Sequence, residues 1–425
     1  MTIEQLYQLY QQYPSVQTDT RKLKKGDLFF ALKGPSFNGN SFAQLALEAG
    51  AAYAVIDEKE FSINNKTILV DDVLKTLQEL ALYHRKKLSI PFIAITGSNG
   101  KTTTKELVYA VLSGTFKTYT TKGNLNNHIG IPLTILDVQP DAEIAVIEMG
   151  ANHQKEIKGY CTYTLPTHGI ITNCGKAHLE GFGGIEGVRK GKGELFSYLK
   201  QHNGTAFVMR DYDYLQEMSK GIPVRITYGT KDASITGKAL ESEPFLNVAI
   251  EKGISIKNIH TQLVGEYNLP NVLVAVTIGN YFNISGNKIK KAIEAYTPSN
   301  SRSQLIKKGD NDIILDAYNA NPSSMKAAIE NFAKSSFEEK VLILGAMAEL
   351  GAESLDEHNA IIELIKTYNW KAVVLVGGDF QKTTHSFISL SNAAEAADWF
   401  HEQQFHHTAI LIKGSRSMQM EKILN

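Results

Sequence analysis

Residues 91–112 read PFIAITGSNGKTTTKELVYAVL, and the order of residue types in that stretch sets the architecture around it. Phe92 to Thr96 is a short apolar run of strand type, Gly97 and Gly100 punctuate it, and from Lys101 onward Leu107, Val108, Val111 and Leu112 recur at the spacing of one helix face. A strand that passes through a glycine-rich turn into a helix is built to cradle phosphate. The glycines let backbone N–H groups close around phosphate oxygens, and the helix N-terminus adds the positive end of its dipole. Lys101 reaches the β and γ phosphates, and the Thr102 hydroxyl suits Mg²⁺. The common form G-x-x-x-x-G-K-[ST] needs glycine at position 95, where Ile95 stands, so the motif here is a shortened G-x-x-G-K-T. Gly97, Ser98, Asn99, Gly100, Lys101, Thr102 and Thr103 are therefore the candidate ATP-binding residues.

Working outward, the 425 residues exceed the ~250–300 at which one hydrophobic core stops growing, and two or three domains are expected. Before the loop, Asp27–Leu32, Tyr53–Ile56 and Thr67–Val70 read as short strands, and 72–88 places Val73, Leu77, Leu80 and Ala81 on one helical face. Ser89-Ile90-Pro91 then disfavours helix, which sets a boundary after residue 88. After the loop, 143–148, 169–173 and 205–209 read as strands of a mostly parallel sheet covered by helices, in a central domain of residues 89–298. From 299 to 425 a shorter βα rhythm, with strands at 313–316, 341–344, 373–376 and 409–412, predicts a Rossmann-like third domain. The fold class is α/β, with a small α/β N-terminal domain (1–88), a central P-loop ATPase-type domain and a C-terminal Rossmann-like domain.

Composition narrows the function classes. Lys plus Arg and Asp plus Glu stand at 44 each, so no global field draws in nucleic acid or an anionic membrane. No apolar run approaches the ~18 residues of a membrane span. Cys161 and Cys174 are too few for a disulfide framework. The expectation is a cytoplasmic monomer that acts on small molecules.

Other residues gain meaning from position. Glu148 ends the strand EIAVIE, where open α/β sheets gather ligands, and type and position alone leave it open between an Mg²⁺ ligand and a strand-end surface charge. With Thr102 and the residues after Asn173 it is expected to share one crevice. His178, read alone, is a structural histidine, and Lys192 in GKGELF reads as a solvated helix lysine. The amide-rich stretches 124–127, 268–271 and 316–322 suit nucleotide or peptide groups but also make turns. Cys174 reads as a buried structural thiol, and His406-His407 as surface residues before a strand.

Taken together and in order, the motifs resemble the Mur ligase family, best in the branch that handles D-alanyl-D-alanine. They are TDTR (18–21), GDLFFALKG (26–34), TGSNGKTTTKE (96–106), KGNLNNHIGIPLTIL (122–136), EMGANHQKEI (148–157) and NCGKAHLEGFGG (173–184). GEYNLPNVLVAV (265–276), LDAYNANPSSM (315–325), GAMAELG (345–351) and KGSRSM (413–418) continue them. The resemblance implies a three-domain ligase of peptidoglycan precursor synthesis. ATP would phosphorylate the terminal carboxylate of UDP-N-acetylmuramoyl-tripeptide, and the D-alanyl-D-alanine amine would displace phosphate from the acyl phosphate.

Carried over residue by residue, the resemblance places Lys101 on the β and γ phosphates, Thr102 on one Mg²⁺, and Glu148 with His178 on a second. It turns Lys192 into a carbamylated lysine, an anionic group able to orient magnesium. Asn268 and Asn271 match adenine-side residues, and Arg302 and Asp316 match residues that reach ATP when the domains close. Thr20, Arg21 and Lys33 fall at the uridine diphosphate end and Asn124, Asn126 and Asn127 near the peptide. Lys413, Ser415 and Arg416 match nucleotide or dipeptide contacts. Asn40 stands where the family usually has histidine and Ala346 where it often has aspartate. Three other readings compete: a family ligase adding lysine or diaminopimelate, against which the third domain lacks a D-N-P-R segment; a folylpolyglutamate synthetase, which has no use for a uridine-type first domain; and an ATP-hydrolysing switch.

Overall fold

The computed structural model describes residues 1–240, 244–299 and 301–424. Three main sheets follow one another along the chain. The first has four parallel strands in the order Val16–Gln17, Leu28–Phe30, Tyr53–Ile56 and Thr67–Leu69, with a small antiparallel ribbon of Lys33–Gly34 and Phe37–Asn38 beside it. The run LFFAL (28–32) is apolar throughout because both faces of its strand are covered. Leu28, Phe30 and Leu32 join one core and Phe29 and Ala31 another, as alternation along a strand dictates.

The second sheet has nine strands, and Phe92–Thr96 lies between Ile144–Glu148 and His168–Ile171, all parallel. Its outer part was not foreseen. Val224–Gly229 and Ile235–Leu240 extend the parallel run, and Phe245–Lys252 and Asn258–Val264 add an antiparallel margin. The largely buried and mostly apolar helix Leu269–Tyr281 packs against Lys101–Ser113 and over these strands.

The third sheet runs Gln304–Lys308, Asn311–Asp316, Thr408–Lys413, Glu339–Gly345, Ala372–Val376 and Ile388–Leu390. All pairings are parallel except that of the first strand. The last long strand inserts between two earlier ones, so Asp316 and Lys413 end side by side.

The helix Val73–Lys87 fastens the first sheet to the second. Its Arg85 guanidinium donates to Thr164 O at 2.8 Å, Leu165 O at 3.0 Å and Leu88 O at 2.6 Å, and lies 3.8 Å from the centre of the Phe92 ring. Two of those carbonyls end the helix Glu156–Thr164, where a cation complements the dipole. His84 Nε2 donates to Val138 O at 2.7 Å, and the Tyr10 hydroxyl donates to Leu136 O. Among the described residues, no helix is long and apolar enough to cross a membrane.

Candidate active site

The phosphate loop needs both of its glycines. Gly97 has φ +146° and Gly100 φ +77°. A Cβ would stand 2.0 Å from Thr172 Oγ1 at the first and 2.7 Å from Asn271 Oδ1 at the second. The residues beyond the neighbouring strand staple the loop. Ser98 N–H donates to Asn173 O at 2.9 Å and Asn99 N–H to Asn173 Oδ1 at 3.0 Å, while Thr172 Oγ1 donates to Asn99 O at 2.6 Å. The N–H groups of the first helical turn, from Lys101 through Thr103, have no intrahelical acceptor and remain for an anion. Lys101 Nζ is folded back onto Gly97 O at 2.7 Å and Ser98 O at 3.1 Å. Burial pushes its pKa down to about 8; the Glu148 carboxylate opposes that shift and the Arg302 charge adds to it.

Glu148 is 1% exposed, which removes the surface-charge reading. Its Oε1 accepts from Asn126 Nδ2 at 2.8 Å and its own N–H donates to Thr121 Oγ1 at 2.9 Å, but Oε2 is buried without a partner. A buried anionic oxygen left bare is costly unless a cation meets it. Among the described residues no three His, Cys, Asp or Glu side chains converge. A single carboxylate beside the buried Thr102 hydroxyl and a phosphate loop fits Mg²⁺, which takes few protein ligands and completes its shell with substrate phosphate and water. His178 holds left-handed backbone, φ +52°, and its Nδ1 lies 2.5 Å from Glu349 Oε2 of the third domain. The imidazole keeps the Glu349 carboxyl below the usual range.

Lys192 is the clearest correction. It is 1% exposed, not solvated, with Nζ donating to Ala151 O at 2.9 Å and lying 4.9 Å from the centre of the Phe182 ring. Gly187 and Gly191, one turn apart on the helix Ile185–Gln201, make this burial. A Cβ would meet Phe182 O at 1.8 Å on the first and the Phe182 ring at 2.4 Å on the second, so only bare glycines let Phe182 lie against the helix. Burial, and after it the charge of Lys101, holds the ammonium pKa down to about 7.

The remaining residues fall into supporting clusters. Asn268 and Asn271 are buried behind the loop, where Asn271 Nδ2 donates to Asn268 Oδ1 at 2.9 Å and Thr104 Oγ1 donates to Asn271 Oδ1 at 3.0 Å, so their first effect is on loop shape. Lys413 corrects a second reading. Its side chain is 2% exposed and Nζ is spent on Asp316 Oδ2 at 2.6 Å and Asn319 O at 3.3 Å, which makes it a support for Asp316. Ser415 is buried against Ala346 O, and Arg416 is exposed and pairs with Glu421 at 2.9 Å. Arg302 stacks 3.5 Å from the centre of the Tyr318 ring. Asn321 Nδ2 donates to Asn99 Oδ1 at 2.7 Å, which brings the third domain onto the loop itself. Of the three peptide-side asparagines only Asn126 meets Glu148; Asn124 is exposed, and Asn127 Oδ1 accepts from Ile129 N–H at 3.1 Å and Gly130 N–H at 2.9 Å.

In the first domain, Lys33 Nζ lies 2.9 Å from Asp57 and 2.8 Å from Glu58. Asn40, fully buried, grips that same Asp57 through Nδ2 at 2.8 Å and receives its N–H at 2.9 Å. It therefore shapes the site from behind. Thr20 opens a short turn capped by Asp19, and Arg21 is exposed and paired with that aspartate at 2.9 Å. Cys174 is buried, its thiol pushed up to about 12 by burial, in keeping with a structural role. Sequence reasoning passed over Thr172, just before a quoted motif, and Tyr318 and Glu349 inside others, because they act only through contacts made in the fold.

The descriptions of three family models match in succession: Mur ligase family, catalytic domain (residues 12–85), Mur ligase middle domain (95–279) and Mur ligase, glutamate ligase domain (301–416). The UDP-N-acetylmuramoyl-tripeptide--D-alanyl-D-alanine ligase of Bacillus subtilis is 34% identical over 422 residues, 96% of this chain and 92% of that one. Its Escherichia coli namesake is 35% identical over 428 residues with the same coverage. Among solved structures, MurF from Acinetobacter baumannii superposes with a TM-score of 0.89 at 28% identity, over 100% of this chain and 97% of that one. MurF from Thermotoga maritima in complex with ADP gives 0.86 at 25% identity, over 96% of each. With three α/β domains, a phosphate loop and near full-length relatives in agreement, the chain belongs to the Mur ligase family, as an ATP-dependent ligase of its three-domain fold.

Proposed function

We propose that this enzyme joins D-alanyl-D-alanine to UDP-N-acetylmuramoyl-tripeptide, giving the pentapeptide, ADP and phosphate. Its units would be a UDP-substrate domain at 1–88, an ATP-binding domain at 89–298 and a ligase domain at 299–425. The observation that carries the reading is the meeting of an open phosphate loop with the buried Glu148 carboxylate, one oxygen of which is unpartnered, at the ends of adjacent strands. The relatives named for that reaction, and the neighbour solved with ADP, support substrate and nucleotide.

The chain's own groups account for the chemistry by placement and charge. Lys101 leaves its two loop carbonyls for the β and γ phosphates, and Arg302 approaches the same phosphates from the third domain. The N–H groups of the first helical turn orient the transferring phosphoryl, and the third domain, docked through Asn321 on Asn99, excludes water. Thr102, Glu148, His178 and Lys192 as its carbamate are the residues that would hold two Mg²⁺, which when bound neutralise phosphate charge. Lys192 suits carbamylation because an amine held near pKa 7 is about half free of its proton at pH 7 and can add CO₂. In the first domain Thr20, Arg21 and Lys33 face the uridine diphosphate end. We take the enzyme to work in the cytoplasm, a reading that its use of ATP and its two buried free thiols support, and to act as a monomer without nucleic acid or membrane.

The test is phosphate release from ATP and Mg²⁺ with the two substrates added separately and together, and product mass. Release that needs both, with a pentapeptide formed, is the expected result. Release without either, or with lysine or diaminopimelate on the dipeptide precursor, overturns it.

A further inference from the structure

Arg302 is carried on an unusual piece of backbone. Ser301 and Ser303, on either side of it, both hold left-handed conformation, φ +56° and +47°. A residue with a Cβ takes that conformation at a cost and keeps it only where its surroundings hold it there. Three hydrogen bonds do so. Tyr318 N–H donates to Ser301 O at 3.1 Å, Ser303 N–H donates to Asp316 Oδ1 at 3.1 Å, and the Tyr267 hydroxyl meets Ser303 Oγ at 3.0 Å.

The first two bonds lie within the third domain. The last reaches across from the central one, from the short turn Glu266–Asn268. Gly265, at φ +96°, makes room for it, since a Cβ there would stand 2.3 Å from the Tyr267 ring. The same turn is anchored again by Glu266 N–H donating to Asn331 Oδ1 at 3.0 Å. Burial, and then the nearby Asp316 carboxylate, raises the Tyr267 phenol above its ordinary range, so its proton stays in place at working pH. Arg302 itself lies over Tyr318 and close enough to Lys101 to depress that lysine's pKa.

We infer that Tyr267 is a positioning residue for nucleotide use: its hydroxyl, reaching from the central domain, fixes Ser303 in the backbone conformation that points Arg302 at the phosphate loop. The inference rests on the reading that Arg302 serves ATP. It makes the aim of Arg302 conditional on the third domain being seated, because only then does Ser303 meet Tyr267.

The experiment compares Tyr267→Phe with the parent enzyme in full steady-state kinetics. The phenyl ring keeps the packing and loses one hydroxyl. The expected result is a kcat/KM for ATP about five- to tenfold lower, the size of one lost hydrogen bond, with KM for the UDP-linked tripeptide and for D-alanyl-D-alanine unchanged. Adding Ser303→Gly to Tyr267→Phe restores most of the loss, because glycine takes positive φ freely. In an Arg302→Ala background Tyr267→Phe costs nothing further. A loss spread evenly over all three substrates, no rescue by glycine, or full additivity with Arg302→Ala overturns the inference. The two readings separate cleanly. If Arg302→Ala leaves ATP kinetics intact, the assignment of Arg302 to the nucleotide fails and this inference with it; if Arg302→Ala is impaired and Tyr267→Phe is not, only the positioning claim falls.

Discussion

Replacing Lys192 by methionine should inactivate the enzyme and at the same time stabilise its central domain. An ordinary lysine titrates near 10.5 and Lys192, under burial and the neighbouring Lys101 charge, near 7. At about pH 7.5 roughly three quarters of the folded molecules then carry a neutral amine, against about one in a thousand unfolded, and the proton given up on folding costs about 4 kcal/mol. Methionine fills a similar volume and has no proton to lose. It leaves Ala151 O without its donor, worth about 1–3 kcal/mol, so a net gain of about 1–3 kcal/mol remains. The sign follows from a folded pKa lying below the unfolded one. The penalty is absent above about pH 10.5, grows as pH falls toward 7 and is constant below that. Urea unfolding at several pH values measures the difference, with hydrogen exchange in the helix Ile185–Gln201 assigning the transition to the central domain. Bicarbonate should stabilise the parent and not the variant. A Lys192→Met protein less stable than the parent at pH 7.5, or a difference flat between pH 7 and 9.5, refutes the argument.

Three further outcomes are expected. Gly97→Ala forces a Cβ to within 2.0 Å of Thr172 Oγ1 at φ +146°, and ADP affinity by calorimetry should fall at least about tenfold with binding of the UDP-linked substrate intact; an unchanged Kd would show the loop is not built as described. Glu148→Gln should raise the Mg²⁺ concentration for half-maximal rate about tenfold or more while leaving stability equal or higher, since it removes a buried charge whose second oxygen is bare. A normal Mg²⁺ titration takes Glu148 out of the metal site. Asn40→Ala should loosen Asp57 and with it Lys33, raising KM for the UDP-linked substrate with KM for ATP unaltered and costing about 1–3 kcal/mol of stability. Equal KM for the UDP-linked substrate would detach Asn40 from that site.

How much of this was readable in the residues depends on where the determining contacts lie. The phosphate loop was legible because strand, turn and helix signals are local, and the strand in DLFFAL because two covered faces leave an unbroken apolar run after Asp27. The strands from 224 to 264 were not. They form the margin of the central sheet, and their partial exposure dilutes the pattern, although Leu246, Val248 and Ile250 do alternate inward in Phe245–Lys252. Glu148 was correctly placed at a strand end, but its bare oxygen is a product of packing. Lys192 was misjudged from its own chemistry because its burial is made by Phe182 pressing on Gly187 and Gly191; two glycines four apart on a helix were the available sign. Lys413 misled in the opposite way. A lysine beside Ser415 and Arg416 resembles a ligand contact until the sheet order sets it beside Asp316. Tyr267 and Ser303 lie 36 residues apart, and nothing short of the fold joins them.

Arg85 bears on how such a chain can change over generations. Its guanidinium grips main-chain carbonyls of the central domain, and so do the His84 ring and the Tyr10 hydroxyl. At these three points the seam reads backbone rather than side chains, while the apolar faces of Val73–Lys87, Gly130–Asp137 and Glu156–Thr164 pack together beside them. At 136, 138, 164 and 165 these polar anchors read only the carbonyl, so an exchange that keeps the apolar packing and the backbone path leaves them in place. The first domain thus resembles an adaptor with a standard fitting. Its substrate-facing surface is free to be remodelled for a different nucleotide-linked precursor while the buried seam keeps it mounted beside the catalytic crevice. A chimera that exchanges residues 1–90 between relatives must carry over Tyr10, His84 and Arg85 together with the apolar face of Val73–Lys87 to stay mounted. One that exchanges the third domain must instead match side chain to side chain, at Asn99 with Asn321 and at Lys176 with Glu357.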